Sequence, residues 1–268
     1  MTINARQLYE AGSLKDAIEA AKGEVRSRPT DTSIRGFLCE LLCLTNELER
    51  ADGHLDALVE QDPQATVGIQ LFRQLIRAEQ ARQQFYTDGR VPEFLNVPSP
   101  VLQMHLEASI LLREGKVAEA TQKLAAAEEQ RTKVSGTCDE QPFTDFRDLD
   151  DLTAPFFEVL TSTGKYYWVP IEHVDLIEFR APSRPRDLLW QRAHMIVRNG
   201  PDGEVYLPTL YFGTAAETDD RVRLGRVTDW RGGEGTPVRG IGQRTFLIGE
   251  DSKSILELKE LAFAQPSA

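Results

Sequence analysis

Four aspartates, Asp145, Asp148, Asp150 and Asp151, fall within seven positions of one stretch, TDFRDLDDLTAPFFEVL (Thr144 to Leu160). Carboxylates at that density bind divalent cations or divide acid and base roles between them. A calcium loop opening at Asp148 finds acids at its first and third positions. Its fifth, sixth and twelfth are Leu152, Thr153 and Val159, where the ion needs a further oxygen, a glycine and a glutamate. Opening at Asp145 puts Arg147 third. For acid–base work the group lacks a histidine placed to share the proton. The reading that needs no special chemistry is a domain entrance: Asp150 or Asp151 caps a short helical turn, and the other carboxylates pair with arginines downstream.

Other candidate groups fall away on spacing. Cys39 and Cys43 stand at i, i+4 on one helical face, but no histidine or further cysteine pair lies at ligand spacing, so they read as small buried apolar residues. His54 and His105 read as structural or surface residues. The stretch RGIGQRT has Gly240 and Gly242 but threonine at position 245 and no strand–helix unit around it, so it fails as a dinucleotide loop. No nucleophile elbow, phosphate loop or His-Glu-x-x-His motif occurs. The chain therefore reads as no enzyme, with no cofactor and no metal.

Charge narrows the partners. A net charge of −11 over 268 residues disfavours nucleic acid, whose phosphates are bound by Lys and Arg. From Asp139 to Glu178 there are ten acids against Arg147 and Lys165; from Arg180 to Arg244 there are eleven arginines, no lysine and eight acids. Arginine without lysine points to planar, bidentate pairing with carboxylates, first of all between these two segments. No run reaches the ~18 apolar residues of a membrane span, and the first residues form no apolar signal core. Three cysteines make no disulfide framework. The expected location is the cytoplasm.

These residues must be positioned by two kinds of element. GSLKDAIEAAKGEVRSRP and NELERADGHLDALVEQDP align with Leu14 on Leu48, Ala17 on Ala51 and Pro29 on Pro63, a spacing of 34 that matches tetratricopeptide helix pairs. A third copy runs from Gly115 to Arg131, with Val117 and Ala120 at the same offsets. Between the copies lie a strong helix, TVGIQLFRQLIRAEQARQQFYTDG, and a proline-rich break, PEFLNVPSP. Residues 1–135 are expected to form six or seven helices, with a concave face lined by Phe37, Leu41, Phe72 and Ile76. After about residue 136 the pattern turns alternating and β-branched. FFEVLTSTGKYYWVP and HMIVRNGPDGEVYLPTLYF read as hairpins. HVDLIEF, RLGRVTDW and QRTFLIG read as strands, and SKSILELKELAF as a closing helix capped by Ser252 or Ser254. The fold class expected is α+β: tetratricopeptide-like helices over 1–135, then a mainly antiparallel β domain with a C-terminal helix over 136–268.

The second half also resembles a known family. FRDLDDLTAPFFEVLTSTGKYYWVPIEHVDLIEF, RPRDLLWQRAHMIV, VYLPTLYF, RLGRVTDW and RGIGQRTFLIGED, in this order, are similar to the ImpE family, also called the TagJ or SciE type. With the helical repeats, the likeness covers nearly the whole chain. It implies a non-enzymatic accessory protein of the bacterial type VI secretion system. Such a protein binds the N-terminal helix of the small sheath subunit and is linked, indirectly, to the ATPase that disassembles contracted sheath. It supplies no catalytic residues. Asp148, Asp150, Arg186, Trp190, Arg192, Asp229, Trp230, Arg239 and Arg244 are its motif residues, and an internal Arg–Asp lattice with tryptophans among the guanidiniums would serve as well as an interface. The candidate partner-binding residues are Tyr166, Tyr167, Trp168, Trp190, Arg192, Trp230, Arg239 and Arg244, aromatic anchors and arginines of the kinds that dominate interfaces. A metal-dependent hydrolase using the Asp145–Asp151 cluster and a generic tetratricopeptide chaperone are the rival readings.

Overall fold

The computed structural model describes residues 3–265. Its first half holds seven helices: α1 (Ala5–Glu10), α2 (Leu14–Ser27), α3 (Thr32–Leu44), α4 (Leu48–Gln61), α5 (Thr66–Asp88), α6 (Pro100–Arg113) and α7 (Val117–Gln130). Local chemistry sets their ends. The Asp31 carboxylate accepts from the Ile34 N–H and the Ser99 hydroxyl from the Leu102 N–H, each satisfying a donor that the helix leaves free. Gly89, at φ +79°, closes α5 in the left-handed region that a side chain would disfavour. Helices α2 and α4 begin 34 residues apart, at Leu14 and Leu48, and α7 begins at Val117. Leu14, Ala17, Leu48, Ala51 and Ala120 are all buried.

The second half is mainly sheet. Its strands are β1 (Gly136–Cys138), β2 (Gln141–Phe143), β3 (Phe146–Asp148), β4 (Phe156–Leu160), β5 (Tyr166–Pro170), β6 (Val174–Phe179), β7 (Trp190–Val197) and β8 (Asp202–Pro208). A short helix, α8 (Asp220–Arg223), then leads to β9 (Thr228–Gly233), β10 (Thr236–Gly242), β11 (Thr245–Ile248), β12 (Asp251–Ser254) and β13 (Glu260–Phe263). Eight strands form one antiparallel sheet in the order β2-β1-β13-β6-β7-β8-β4-β5; β12-β11-β3 form a second, and β9 and β10 a separate ribbon. Both expected hairpins, β4–β5 and β7–β8, are present in register. At one sheet edge Glu93 bridges to β5: its N–H donates to the Tyr166 carbonyl at 2.9 Å, and its carbonyl accepts from the Trp168 N–H at 3.1 Å. The opposite edge, β2, carries Pro142.

Two expectations fail here. SKSILELKELAF is no helix but β12, a single 3₁₀ turn at Ile255–Glu257, and β13. Ser254 does cap, with Glu257 as its partner, but it caps only that turn. Buried Leu261 and Phe263 belong to a strand inserted between β1 and β6, with Ile255 and Leu258 of the preceding turn buried in the same core, and that insertion overrides the local helical pattern. RLGRVTDW is strand only from Thr228; its first half is the end of α8 and a turn at Gly225, φ +63°. Its partner β10 is the RGIG stretch.

Alternation divides the large sheet into two packed faces. Phe156, Leu160, Tyr166, Trp168, Trp190 and Tyr206 share one continuous core with the helices. Phe157, Val159, Val169, Met195 and Leu207 pack instead with Phe146, Phe246 and Ile248 of the second sheet. The supposed concave binding face of the helices is thus filled by the chain itself. Phe37, Leu41, Phe72 and Ile76 are all buried, and Phe72 packs edge-on against Trp190 at 6.1 Å.

Candidate functional site

Each aspartate of the cluster has its own partners. Asp148, fully buried, accepts from the Arg244 guanidinium at 2.6 Å, the Tyr211 hydroxyl at 2.7 Å, the Thr153 hydroxyl at 3.0 Å and the Asp150 N–H at 2.9 Å. Asp150 takes Arg239 Nε at 2.9 Å and the backbone N–H groups of Leu152 and Gly240. Asp145 pairs with Arg131 through two bonds of 2.8 and 2.6 Å, and Asp151 with Arg147 at 2.7 Å and the Val238 N–H at 2.7 Å. The segment forms a turn but no helix for Asp150 or Asp151 to cap; Asp148 and Asp150 accept backbone N–H groups within it. Of the arginines, Arg239 and Arg244 lie downstream, whereas Arg131 comes from the end of α7. The four carboxylates converge on no common point, and a cation would have to displace a guanidinium from each. Among the described residues no group of three or more His, Cys, Asp or Glu side chains is arranged to hold a metal. At Asp148 the loss of solvent outweighs the pull of Arg244 and raises the carboxyl above its ordinary range.

Arg244 leads to a second layer that sequence reasoning missed. It also pairs with Glu158 of β4, which is fully buried and in turn accepts from Arg82 of α5 at 3.0 Å, Tyr166 at 2.5 Å and Tyr86 at 3.0 Å. Arg82 continues to Glu79 at 3.0 Å and to the Leu210 carbonyl, and Glu79 accepts from the Trp190 indole N–H at 3.1 Å. Burial alone would push the Glu158 carboxyl up, but the Arg82 and Arg244 guanidiniums override it and hold it at about 2. A chain of alternating charges thus runs from α5 through the sheet to the aspartate turn. Tyrosines rather than tryptophans stack on its guanidiniums: Arg244 over Tyr211 at 5.2 Å, and Arg82 over Tyr86 at 5.8 Å. The available signal was Glu79 and Arg82 at i, i+3 on the apolar stripe of α5, where exposed charges do not belong.

The cysteines and histidines stay structural. Burial pushes the Cys39 thiol up to about 12 and Cys43 well above its usual value, which leaves both as protonated core residues. Buried His105 donates from Nδ1 to the Leu152 carbonyl at 2.8 Å, and burial lowers its ring to about 4. His54 is half-buried beside Arg35.

Of the expected partner-binding residues, Tyr166, Trp168, Trp190 and Arg244 are buried, and Arg239 is half-buried against Asp150. None of the buried four presents a side chain to a partner, which corrects their reading as surface anchors; the aromatic groups are needed between sheet and helices. Trp230, on the ribbon, is 39% exposed and packs edge-on to Tyr211. Arg192 is exposed and pairs with Glu204, and Tyr167 is half-buried. Two clefts flank them. One, of about 260 Å³, is apolar and lined by Tyr167, Val159, Val169, Met195 and Val205, with Leu95 at its lip. Leu95 belongs to the segment that bridges to β5, which also exposes Val91 and Val97. The other, of about 310 Å³, lies between α5 and the turn Pro185–Leu188 and is lined by Arg180, Arg184, Arg186 and Arg192. Among the described residues no helix is long and apolar enough to cross a membrane.

Comparison with known proteins agrees with this architecture. The family profile described as ImpE protein matches residues 140–262. Over 98% of its length the chain is 33% identical to the type VI secretion system accessory component TagJ of Pseudomonas aeruginosa, covering 92% of that protein. The chain belongs to the ImpE family. The fold of this ImpE protein is also that of a Vibrio parahaemolyticus protein solved by X-ray crystallography, with a TM-score of 0.91, 24% identity and 97% of each chain covered.

Of the residues singled out in the stretches that resemble the family, Asp148, Asp150, Arg239 and Arg244 form the lattice around the aspartate turn, Trp190 is buried in the core shared with the helices, and Arg186, Arg192, Asp229 and Trp230 stand outside it. Gly240 shows how tightly that lattice is built. A Cβ there would lie 2.2 Å from the Tyr211 ring, whose hydroxyl serves Asp148. The Gly240→Ala variant of this ImpE protein is therefore expected to displace Tyr211 and to lose about 1–3 kcal/mol of stability in urea unfolding, an effect absent from Gly53→Ala, where the added carbon meets nothing within 4 Å.

Proposed function

We propose that this protein is a non-enzymatic adaptor of the bacterial type VI secretion system, working in the cytoplasm. In this reading it holds the N-terminal helix of the small sheath subunit and so assists sheath handling or its disassembly by the ATPase. The observation that carries the reading is the 33% identity, over 98% of the chain, to a protein named as an accessory component of that system. Residues 1–135 are read as a tetratricopeptide-like support and 136–268 as the ImpE-type β portion that it braces.

An amphipathic helix needs an apolar groove with a polar rim. The concave face of the helices is filled, so the groove assigned here is the apolar cleft beside Tyr167, with Leu95 at its lip and Asp202 and Glu204 on its rim. The test is fluorescence anisotropy of a labelled peptide carrying that sheath helix. Binding in the micromolar range is expected, about tenfold weaker for Leu95→Asp. Leu95 is 37% exposed, so the substitution leaves the core intact. No saturation at high protein concentration would rule out the sheath helix as ligand, and equal binding by Leu95→Asp would move it to another surface.

A further inference from the structure

The second cleft has a chemistry of its own. Four guanidiniums line it, in a chain whose net charge is −11. Two of them are already engaged: Arg192 with Glu204, and Arg180 loosely with Glu178 at 3.7 Å. Arg184 and Arg186 have no carboxylate within ion-pairing distance among the described residues. The acid nearest in sequence makes no ion-pair contact with either. Asp187 accepts from the Ser183 N–H and hydroxyl and from the Arg184 N–H, all through one oxygen, and is spent on holding the turn. Arg186 lies over the Phe72 ring at 4.9 Å, half-buried and fixed in direction. Holding an arginine there with no carboxylate in contact costs desolvation, and the neighbouring Arg184 adds repulsion that Glu40 and Asp187 offset only in part. Burial also raises Glu40, on α3 behind the turn, to about 7, so it offers these guanidiniums only part of a countercharge at neutral pH. Leu71, Leu75 and Trp190 give the cleft an apolar floor.

We propose that this cleft is a docking site for an acidic segment of a partner protein, whose carboxylates pair with Arg184 and Arg186 while a neighbouring apolar side chain rests on Leu71 and Leu75. Guanidiniums present a planar fork that matches a carboxylate, and desolvation in a cleft strengthens the pair. The overall charge argues against a polyanion as occupant, since a nucleic acid or an anionic membrane would meet the remaining acidic surface at the same time. A short acidic stretch reaches the arginines alone.

The experiment uses the full chain and a fluorescein-labelled peptide carrying glutamates and leucines on one helical face. It contains no sheath sequence, so its outcome is independent of the adaptor reading. Saturable binding at about 10–100 μM is expected, weakened at least about tenfold when the glutamates become glutamines, and by a similar factor in Arg184→Glu. Arg184 is exposed, so that variant keeps its fold; Arg186→Gln is the companion, checked by its circular dichroism. Equal affinity for the glutamate and glutamine peptides, wild-type binding by Arg184→Glu, or no saturation by about 1 mM would each overturn the proposal. So would displacement by inorganic phosphate at concentrations where acetate does nothing, which would make the cleft a phosphate site.

Discussion

Replacing Glu158 by glutamine is expected to lower the unfolding free energy by about 3–5 kcal/mol, because it removes the one carboxylate that Arg82 and Arg244 share. The depressed Glu158 carboxyl points to a similar size. A carboxyl moved from 4.5 to about 2 on folding corresponds to about 3 kcal/mol. The sign follows from the depressed folded value. The stabilisation is complete above the unfolded value near 4.5 and is lost as pH falls toward 2, where the folded carboxyl also takes up its proton. Urea midpoints at neutral pH and at several values between 4.5 and 2 make the comparison. Wild type should weaken steadily across that window, while Glu158→Gln starts lower and falls less steeply. Equal midpoints at neutral pH would show that the buried charges contribute nothing net. Arg82 belongs to α5 and Glu158 to β4, so the same variant should loosen the helices from the sheet.

The second large effect lies a few ångströms away. Trp168 stacks on Phe156 with centroids 3.9 Å apart, meets Phe85 of α5 edge-on at 4.9 Å, and donates its indole N–H to the Tyr166 hydroxyl at 2.7 Å. Trp168→Ala empties that volume and is expected to cost about 3–5 kcal/mol, lowering the thermal midpoint by roughly 10 °C. Trp168→Phe keeps most of the packing and gives up the hydrogen bond, so about 1 kcal/mol is expected. Thermal unfolding followed by circular dichroism ranks the three proteins. If the alanine variant melted with wild type, Trp168 would not be the joint between the halves that its contacts describe.

Both effects sit on residues whose local setting was readable and whose partners were not. The helices could be read because period, small residues and prolines are local signals: Ala17 and Ala51 mark close approach, and Ser99–Pro100 opens α6. The two hairpins were legible for the same reason. The excess of arginine after residue 180 against acids before it foretold pairing, and Arg239 and Arg244 do bind Asp150 and Asp148. Nothing local says that Arg82, more than a hundred and fifty positions from Arg244, meets the same carboxylate. The terminal segment failed for a related reason. Ile255, Leu258 and Leu261 satisfy a helical spacing, and only the gap between β1 and β6 makes the last of them a strand. Tyr166, Trp168 and Trp190 show the limit on the site side. Their types suit an interface, but the contacts that bury them come from helices far away in the chain.

The bridge from Glu93 to β5 closes one end of the large sheet to strand addition. A free sheet edge invites another chain to add a strand, whether as a bound peptide or as a step toward aggregation. Here the Tyr166 carbonyl and the Trp168 N–H are already taken, and β5 ends at Pro170, which has no N–H to give. At the far edge Pro142 leaves β2 short of a donor. With both ends of the large sheet blocked, a partner meeting it there is held by side chains and not by an added strand, and selectivity at those edges rests on shape and charge.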